Sequence, residues 1–226
     1  MSKDPTKHTS ESVESTTEGQ VFYLFRHAET DWNVIRRLQG HSDIDLNSNG
    51  ENQAKNLRTR LGSITFDRII SSDLVRARRT AEMGVLAAHQ PANMIITTSE
   101  LREVHLGEAE GRQREELIAL YGEDFWTRWS SHSAESLDLK FPGGESKREM
   151  LLRLLTGLHK YLDTHSGLRL GFVSHGLALR TLCHYLHPEL TETHFISNCG
   201  ALKFERNQSD RSLRMLKYFS SEELIS

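Results

Sequence analysis

The sequence has little cysteine, no long apolar run and no excess of basic residues. Its cysteines, Cys183 and Cys199 among 226 residues, are too few for a disulfide scaffold and are not spaced as a zinc-binding pair. No apolar segment is long enough to cross a bilayer, and no basic-then-apolar signal peptide begins the chain. The net charge of -3 provides no general attraction for nucleic acid or an anionic membrane. The sequence therefore predicts a cytoplasmic protein that binds neither nucleic acid nor membranes, with two small, buried cysteines.

The composition also predicts how the chain is divided. Residues 1–19 are rich in Ser, Thr, Glu and Lys and have almost nothing to bury, so we expect a disordered N-terminal tail. The remaining length suits one catalytic domain, predicted over residues 20–220, with a C-terminal tail over 221–226. There is no internal repeat. The oligomeric state stays open, a homodimer included.

Strand-like and helix-like segments alternate along the predicted domain. Apolar runs predict strands at 21–25, 68–71, 94–97, 169–173, 201–204 and 215–219. Apolar residues at helical spacing predict helices at 48–62, 73–89, 145–164 and 177–186, with one or two more within 113–132. Ser72 or Asp73 is the expected cap of the second helix. The alternation predicts an α/β fold, a three-layer αβα sandwich with a mostly parallel, mixed central sheet.

Two of the predicted strands end in a histidine. The apolar run 21–25 delivers Arg26 and His27, and a second run, 168–173, delivers His175. Because the carboxyl ends of parallel strands lie on one edge of a sheet, the two histidines should face each other across a crevice. Histidine offers a nucleophilic nitrogen near neutral pH, and arginine offers a cationic fork suited to phosphate oxygens. The pattern predicts chemistry on a phosphoryl group.

Two further ionisable residues follow later strands. Arg76 falls in the first turn of the helix after the second strand, although it could also belong to a solvated helix face with Arg78. A phosphohistidine forms only if charge on the phosphoryl group is compensated and the leaving oxygen receives a proton. The arginines and the second histidine can supply the first requirement. Glu103, in the loop after the third strand, is the predicted proton donor, with Glu29 and Asp31 as weaker alternatives.

Five ordered blocks of residues carry these features. The blocks are Arg26-His27-Ala28-Glu29-Thr30 with Trp32-Asn33, Gln39-Gly40, Ser71-Ser72-Asp73-Leu74 with Arg76-Ala77 and Thr80-Ala81, Leu101-Arg102-Glu103, and Ser174-His175-Gly176. Together they resemble branch 1 of the histidine phosphatase superfamily, which contains cofactor-dependent phosphoglycerate mutases and related phosphatases. The resemblance covers nearly all of residues 21–219.

The resemblance implies a role for each matching residue. It implies that His27 is the phosphorylated nucleophile, that Glu103 is the proton donor, and that neither a metal nor another cofactor is needed. The implied phosphate pocket consists of Arg26, Thr30, Asn33, Gln39, Gly40, Arg76, His175 and Gly176. Ala28 stands where the family usually has glycine, and its methyl group should be tolerated if the backbone does not need a positive φ.

The residues after the predicted proton donor bear on the choice between phosphatase and mutase. In the mutases that the sequence resembles, arginine, histidine and tyrosine follow this glutamate and grip phosphoglycerate, whereas Val104, His105 and Leu106 follow it here. We therefore expect a metal-independent, histidine acid-type phosphatase that hydrolyses a small phosphorylated metabolite through phosphohistidine on His27. The alternatives are a cofactor-dependent phosphoglycerate mutase and a phosphate-recognising regulatory module without turnover.

Two expectations concern the surroundings of the nucleophile. Arg26 and Arg76 should discourage protonation of His27, so activity should fall only at strongly acidic pH. A helical insertion, at about residues 105–145, should cover the active site. Its aromatic residues either contact the leaving group or simply pack together; they are Tyr121, Phe125, Trp126 and Trp129.

Overall fold

The computed structural model describes residues 19–189 and 196–226, and six strands within these ranges form one sheet. The predicted N-terminal tail, residues 1–19, lies outside the described residues except for Gly19. The strands are β1 (Gln20–Arg26), β2 (Arg68–Ser72), β3 (Ile95–Thr98), β4 (Leu170–Ser174), β5 (Ala201–Arg206) and β6 (Leu213–Phe219). Their order across the sheet is β3-β2-β4-β1-β5-β6.

The sheet is parallel on one side and antiparallel on the other. β1 pairs in parallel with β4, β4 with β2, and β2 with β3, whereas β5 pairs antiparallel with both β1 and β6. The side chains of β1 alternate between two cores, with Phe22 and Leu24 on one face and Tyr23 and Phe25 on the other. A strand buried on both faces must be apolar throughout, which explains its continuous apolar run. The predicted mixed, mostly parallel sheet is confirmed.

Helices cover both faces of the sheet, as predicted. They are α1 (Asp31–Val34), α2 (Ser48–Leu61), α3 (Val75–Thr80), α4 (Arg114–Tyr121), α5 (Glu123–Ser130), α6 (Lys147–Thr164) and α7 (Gly176–Leu186). Residues of α2 and α3 pack in one core, and residues of α4 to α7 pack in the other. Asn47 caps α2, and Ser146 starts α6 with a capping box. No helix in the described ranges is long and apolar enough to span a lipid bilayer.

The helix after β2 is shorter than the predicted range of 73–89. After α3 comes a single π turn, Ala81–Val85, and the chain then becomes extended. Gly84 lies against α2, where a Cβ atom would stand 2.7 Å from the carbonyl oxygen of Ala54. This close approach requires glycine, which is a weak helix former. The apolar spacing therefore continues beyond the point where the helix ends.

The predicted caps of this helix, Ser72 and Asp73, are also wrong. Leu74 is the N-cap residue and its side chain makes no capping hydrogen bond, while the carboxylate of Asp43 accepts from the backbone N–H of Val75 at 2.7 Å. The carboxylate of Asp73 instead accepts two hydrogen bonds of 2.6 Å from the guanidinium of Arg102. A bidentate ion pair of this kind joins the ends of β2 and β3 and uses both carboxylate oxygens.

Residues 221–226 return to the domain. The backbone N–H of Ile225 donates to the carbonyl oxygen of Arg60 at 3.0 Å, and the Ile225 side chain is buried. The guanidinium of Arg60 donates to three backbone carbonyls, those of Cys199, Ser220 and Glu223. The segment thus packs against α2, while the domain limits of 20–220 stay a prediction.

Both cysteines are buried and free, as predicted. Burial raises the pKa of Cys183 and of Cys199 to about 12. Neither thiol therefore ionises near neutral pH, and both act as small core residues.

Candidate active site

The ends of β1 and β4 bring the two predicted histidines together. Arg26 and Ser174 are partners in the parallel register, so the histidines that follow them emerge side by side. The backbone N–H of His27 donates to the carbonyl oxygen of Ser174 at 3.0 Å. The ring centres of His27 and His175 are 5.2 Å apart, and both side chains are buried.

The surroundings of His27 fix its ring and its backbone. Its Nδ1 lies 2.7 Å from the carbonyl oxygen of Ala28, which assigns the proton of the neutral ring to Nδ1 and leaves the lone pair on Nε2. The Asn198 side chain donates to the His27 carbonyl at 2.9 Å, and the Ala28 N–H donates to the Thr80 hydroxyl at 2.9 Å. Ala28 does not have a positive φ, so the backbone condition for replacing glycine is met.

Both histidines are neutral at pH 7. Burial, followed by the charges of Arg76 and Arg26, lowers the pKa of His27 well below 6.5. Burial and Arg76 likewise lower the pKa of His175 well below 6.5. Neither ring nitrogen of His175 has a hydrogen-bond partner among the described residues. A neutral ring of this kind can still donate one N–H to an oxygen placed beside His27.

Arg76 turns into the protein, as the phosphate-site prediction requires. Its side chain is fully buried, and its guanidinium donates to the carbonyls of Gly40 and Ser42 at 2.8 Å each. Burial lowers the pKa of Arg76 to about 10, so the group stays cationic at neutral pH. Arg78, by contrast, is exposed and lies 3.8 Å from Glu82. The solvated-face interpretation therefore applies to Arg78 but not to Arg76.

The two predicted site glycines provide space. The guanidinium of Arg26 donates to the Ile196 carbonyl at 2.6 Å, and a Cβ atom on Gly176 would stand 3.0 Å from its Nε. Gly40 has a φ of +50°, and a Cβ atom there would lie 2.4 Å from a carboxylate oxygen of Glu110. A larger residue at 176 would press on the guanidinium of Arg26, and one at 40 would press on the carboxylate of Glu110.

The carboxylate of Glu103 lies at the N-terminus of α7. One oxygen accepts hydrogen bonds from the backbone N–H groups of Val104 (3.1 Å) and Ala178 (2.8 Å). The other accepts from the N–H of Leu177 at 2.9 Å. These bonds hold the carboxylate next to His175, which immediately precedes α7. The second oxygen accepts only this one hydrogen bond from the described residues, so its other acceptor direction leaves room for a proton.

The alternative acids lie elsewhere. The Glu29 carboxylate accepts hydrogen bonds from the side chains of Asn47 and Asn49, and Asp31 is exposed. Neither lines the cavity between the histidines and α7. In the part of the chain that the structure describes, no three His, Cys, Asp or Glu side chains form a group that could hold a metal ion.

Thr30 and Asn33 stabilise the first turn after the nucleophile. The Thr30 hydroxyl accepts from the Asn33 N–H at 3.2 Å, and the Asn33 side-chain oxygen accepts from the Thr30 N–H at 3.1 Å. This capping box starts α1. Asn33 lines the cavity, whereas Thr30 is fully buried behind it. Thr30 is placed to position Asn33.

These elements enclose a cavity of about 250 Å³. Its charged lining residues are four arginines and one carboxylate: Arg26, Arg37, Arg76, Arg180 and Glu103. The other lining residues are His27, Asn33, Gln39, Gly40 and Gly176, and the apolar Leu38, Val104, Leu106, Trp129, Leu177 and Ile196. Arg180 was not predicted as a site residue, although its spacing of four residues from Gly176 places both on one face of α7. Asn198 was not predicted either, because no sequence pattern indicates its contact with His27.

The aromatic residues of the insertion mostly pack together. The rings of Tyr121, Phe125 and Trp129 surround Phe141, with centre-to-centre distances of 5.4, 5.3 and 4.9 Å. The ring of Trp126 lies tilted beside that of Trp129, with the ring centres 5.5 Å apart. Of these rings only Trp129 lines the cavity. Packing is thus the main role of the cluster, and Trp129 is the ring of the four that a ligand in the cavity could reach.

Comparison with known proteins identifies the class. The family model described as "Histidine phosphatase superfamily (branch 1)" matches residues 22–218. The chain therefore belongs to this superfamily, and the resemblance seen in the five sequence blocks is confirmed.

Individual relatives include both mutase-like and phosphatase proteins. "Probable phosphoglycerate mutase GpmB" from Salmonella choleraesuis is 41% identical over 160 residues, which are 71% of this chain and 71% of that protein. The structure of Bacillus stearothermophilus YhfR is 26% identical, with a TM-score of 0.77 over 92% of this chain and 98% of that one. The alpha-ribazole phosphatase of Shigella flexneri, 24% identical, shares the fold with a TM-score of 0.73 over 92% of this chain and all (100%) of that one.

Proposed function

We propose that this protein is a phosphomonoesterase that hydrolyses a small phosphorylated metabolite through a phosphohistidine on His27. The observation that carries the proposal is a neutral histidine, with its lone pair assigned to Nε2, in one cavity with buried guanidinium groups and one carboxylate. A phosphoryl group is the chemical group that needs both a nucleophile and several fixed cations.

In the first step, Nε2 of His27 attacks phosphorus and the bond from phosphorus to the ester oxygen breaks. Arg26, Arg76 and the His175 N–H stabilise the negative charge on the phosphoryl oxygens. Protonated Glu103 gives its proton to the leaving oxygen, so an alcohol departs rather than an alkoxide.

In the second step, water attacks the phosphohistidine and the bond from phosphorus to Nε2 breaks. The Glu103 carboxylate, left ionised by the first step, accepts a proton from the attacking water. Inorganic phosphate leaves and His27 returns to its neutral form. No metal takes part in either step, because the arginines already supply the positive charge.

Hydrolysis is favoured over transfer to a second alcohol by the residues after Glu103. Val104 and Leu106 are buried and line the cavity, where they offer only apolar contacts. His105 instead lies beside His41, with the two ring centres 4.7 Å apart, and its Nε2 is 3.6 Å from Glu110. Phosphoglycerate mutase activity is the second candidate, and the relatives at 41% identity support it.

The fate of the phosphoryl group separates the two activities. We expect 3-phosphoglycerate and p-nitrophenyl phosphate to release inorganic phosphate that carries one ¹⁸O atom when the reaction runs in H₂¹⁸O with excess EDTA. Mass spectrometry of the phosphate measures the ¹⁸O that hydrolysis introduces. In the same sample, ³¹P NMR of the organic products measures conversion of 3-phosphoglycerate to 2-phosphoglycerate. Conversion of 3-phosphoglycerate to 2-phosphoglycerate, dependent on added bisphosphoglycerate and faster than phosphate release, would establish the mutase instead.

The active-site histidines should stay neutral in mildly acidic solution. Their folded-state pKa values lie well below 6.5, so the unfolded chain binds more protons than the folded one below that pH. We expect the free energy of unfolding to decrease as the pH falls from 7.5 to 5.5, while ¹⁵N shifts of the His27 ring keep the Nδ1–H tautomer. Exposed His89 is the internal reference, and the His27→Asn spectrum gives the assignment. Protonation of His27 near pH 6.5 would contradict this prediction.

A further inference from the structure

Glu110 is a mostly buried carboxylate outside the described lining of the cavity, with 15% of its side chain exposed. Its Oε1 accepts from the backbone N–H groups of His41 at 2.7 Å and Leu106 at 3.2 Å, and its Oε2 accepts from the Ser42 hydroxyl at 2.8 Å. A buried carboxylate is costly unless such hydrogen bonds satisfy it. Glu110 therefore fastens the loop of residues 40–42 to the segment that carries Leu106.

The loop of residues 40–42 holds the guanidinium of Arg76. Nη1 donates to the Ser42 carbonyl and Nη2 to the Gly40 carbonyl, both at 2.8 Å. A guanidinium has five N–H groups, so these two bonds leave three for the oxygens of a ligand. Because the two carbonyls hold both terminal nitrogens, they fix the plane of the group. The direction in which Arg76 presents its remaining N–H groups therefore depends on where the loop lies.

The same loop is shaped around Glu110. Gly40 has a φ of +50°, and a Cβ atom there would stand 2.4 Å from a carboxylate oxygen of Glu110, so only glycine allows this approach. Loss of the carboxylate would open a space beside Gly40 and would remove the acceptor of the His41 N–H. Both changes would free the loop to move.

The charge of Glu110 acts in the same direction as its hydrogen bonds. Burial raises the pKa of Glu110, but the hydrogen bonds from His41, Ser42 and Leu106 more than offset this and hold the pKa below its usual value. The carboxylate is therefore ionised at neutral pH. Burial lowers the pKa of Arg76 to about 10, and nearby carboxylates, that of Glu110 among them, act against this shift.

We propose that Glu110 is a positioning residue for phosphoryl binding: it fixes the loop of residues 40–42, whose carbonyls orient the guanidinium of Arg76 for the phosphoryl oxygens. The inference rests on the proposed function, because that function makes Arg76 a phosphoryl ligand. Glu110 itself does not touch the substrate and acts only through the loop.

Inorganic phosphate tests this role without turnover. By titration calorimetry, we expect Glu110→Ala to raise the Kd for phosphate by about 10-fold or more, the scale of a hydrogen bond to a charged group. Glu110→Gln keeps an oxygen for the backbone N–H groups and should restore most of the affinity. Ser42→Ala removes only the third hydrogen bond and should raise Kd less. The control is Asp163→Ala, which removes a carboxylate bound by two arginines away from the described cavity lining and should leave Kd unchanged.

A double-mutant cycle distinguishes positioning from a general loosening of the domain. Arg76→Gln should weaken phosphate binding by itself, and Glu110→Ala should add little to it, because the path through Arg76 is then already lost. An equal additional loss in both backgrounds would overturn the inference, as would a folded Glu110→Ala protein with the wild-type Kd. Thermal unfolding shows which variants are folded. Ser42→Ala and Arg76→Lys replace any member of the cycle that is not, and the same outcomes decide.

A second route from the loop leads to the proposed proton donor. Nε2 of His41 lies 2.8 Å from the Glu103 carbonyl, so a displaced loop could move the acid instead of Arg76. The slope of log kcat/KM against the pKa of the leaving alcohol should therefore stay at the wild-type value in Glu110→Ala. A steeper slope with an unchanged Kd for phosphate would overturn the assignment to Arg76. Weaker phosphate binding by Glu110→Ala, in a protein whose wild type hydrolyses no ester, would support the inference and overturn the phosphatase proposal alone.

Discussion

Replacing His27 with asparagine should reduce kcat for every phosphate ester by about 10⁴-fold or more, the scale on which loss of a catalytic nucleophile acts. The asparagine amide has no lone pair of comparable nucleophilicity, and no other described side chain in the cavity can form the same covalent intermediate. The measurement is release of inorganic phosphate together with acid-labile, base-stable ³²P labelling of the protein. Wild type should carry the label after rapid mixing with a ³²P-labelled ester, and the variant should not.

The control for this substitution is His89→Asn. His89 is exposed and distant from the described cavity, so its loss removes one imidazole without touching the site. Wild-type turnover by the His27→Asn protein would contradict the phosphohistidine mechanism. A labelled variant would point to another nucleophile.

Replacing Glu103 with glutamine should reduce kcat by about 10²- to 10⁴-fold for alkyl phosphates, the usual contribution of a general acid and base. Poor leaving groups need the proton, so the loss should shrink for p-nitrophenyl phosphate, whose phenolate departs without help. The measurement is the slope of log kcat/KM, which reports the first step alone, against the pKa of the leaving alcohol. It should become steeper in the variant.

Glutamine also disturbs the start of α7. Its oxygen can accept one set of backbone N–H groups, but its amide nitrogen would face the other, which should cost roughly 1–3 kcal/mol of stability for the lost hydrogen bond. Thermal unfolding measures this cost separately from the kinetics. Glu29→Gln is the matched control, because its carboxylate is bound by two asparagine side chains away from the cavity. An equal loss of kcat/KM for all leaving groups would contradict the proposed role of Glu103 as the proton donor of the first step.

Much of the fold and site could be predicted from the sequence, because continuous apolar runs indicate buried parallel strands. The runs before His27 and His175 defined two neighbouring strands, and the ends of those strands placed the histidines together. The sequence also placed Arg76 in the first turn after β2, although it left a solvated position on the helix face open. Such positions depend on where each apolar run ends and on helical periodicity, both of which are local properties.

Other features depend on contacts between distant segments, which no local pattern reveals. The early end of the helix after β2 depends on the close approach of Gly84 to α2. Asp73 is a residue type that often caps helices, but here its carboxylate accepts two hydrogen bonds from Arg102 in another loop. Arg180 lines the cavity together with three other arginines and a single carboxylate, and those residues come from distant segments of the chain.

The attachment of Glu103 to the first backbone amides of α7 ties the position of the proposed proton donor to the position of that helix. The same helix carries Arg180, so any shift of α7 along its axis would carry both groups by the same amount relative to the nucleophile. In the proposed mechanism, the placement of this one helix therefore sets the position of the acid and of one cavity arginine together.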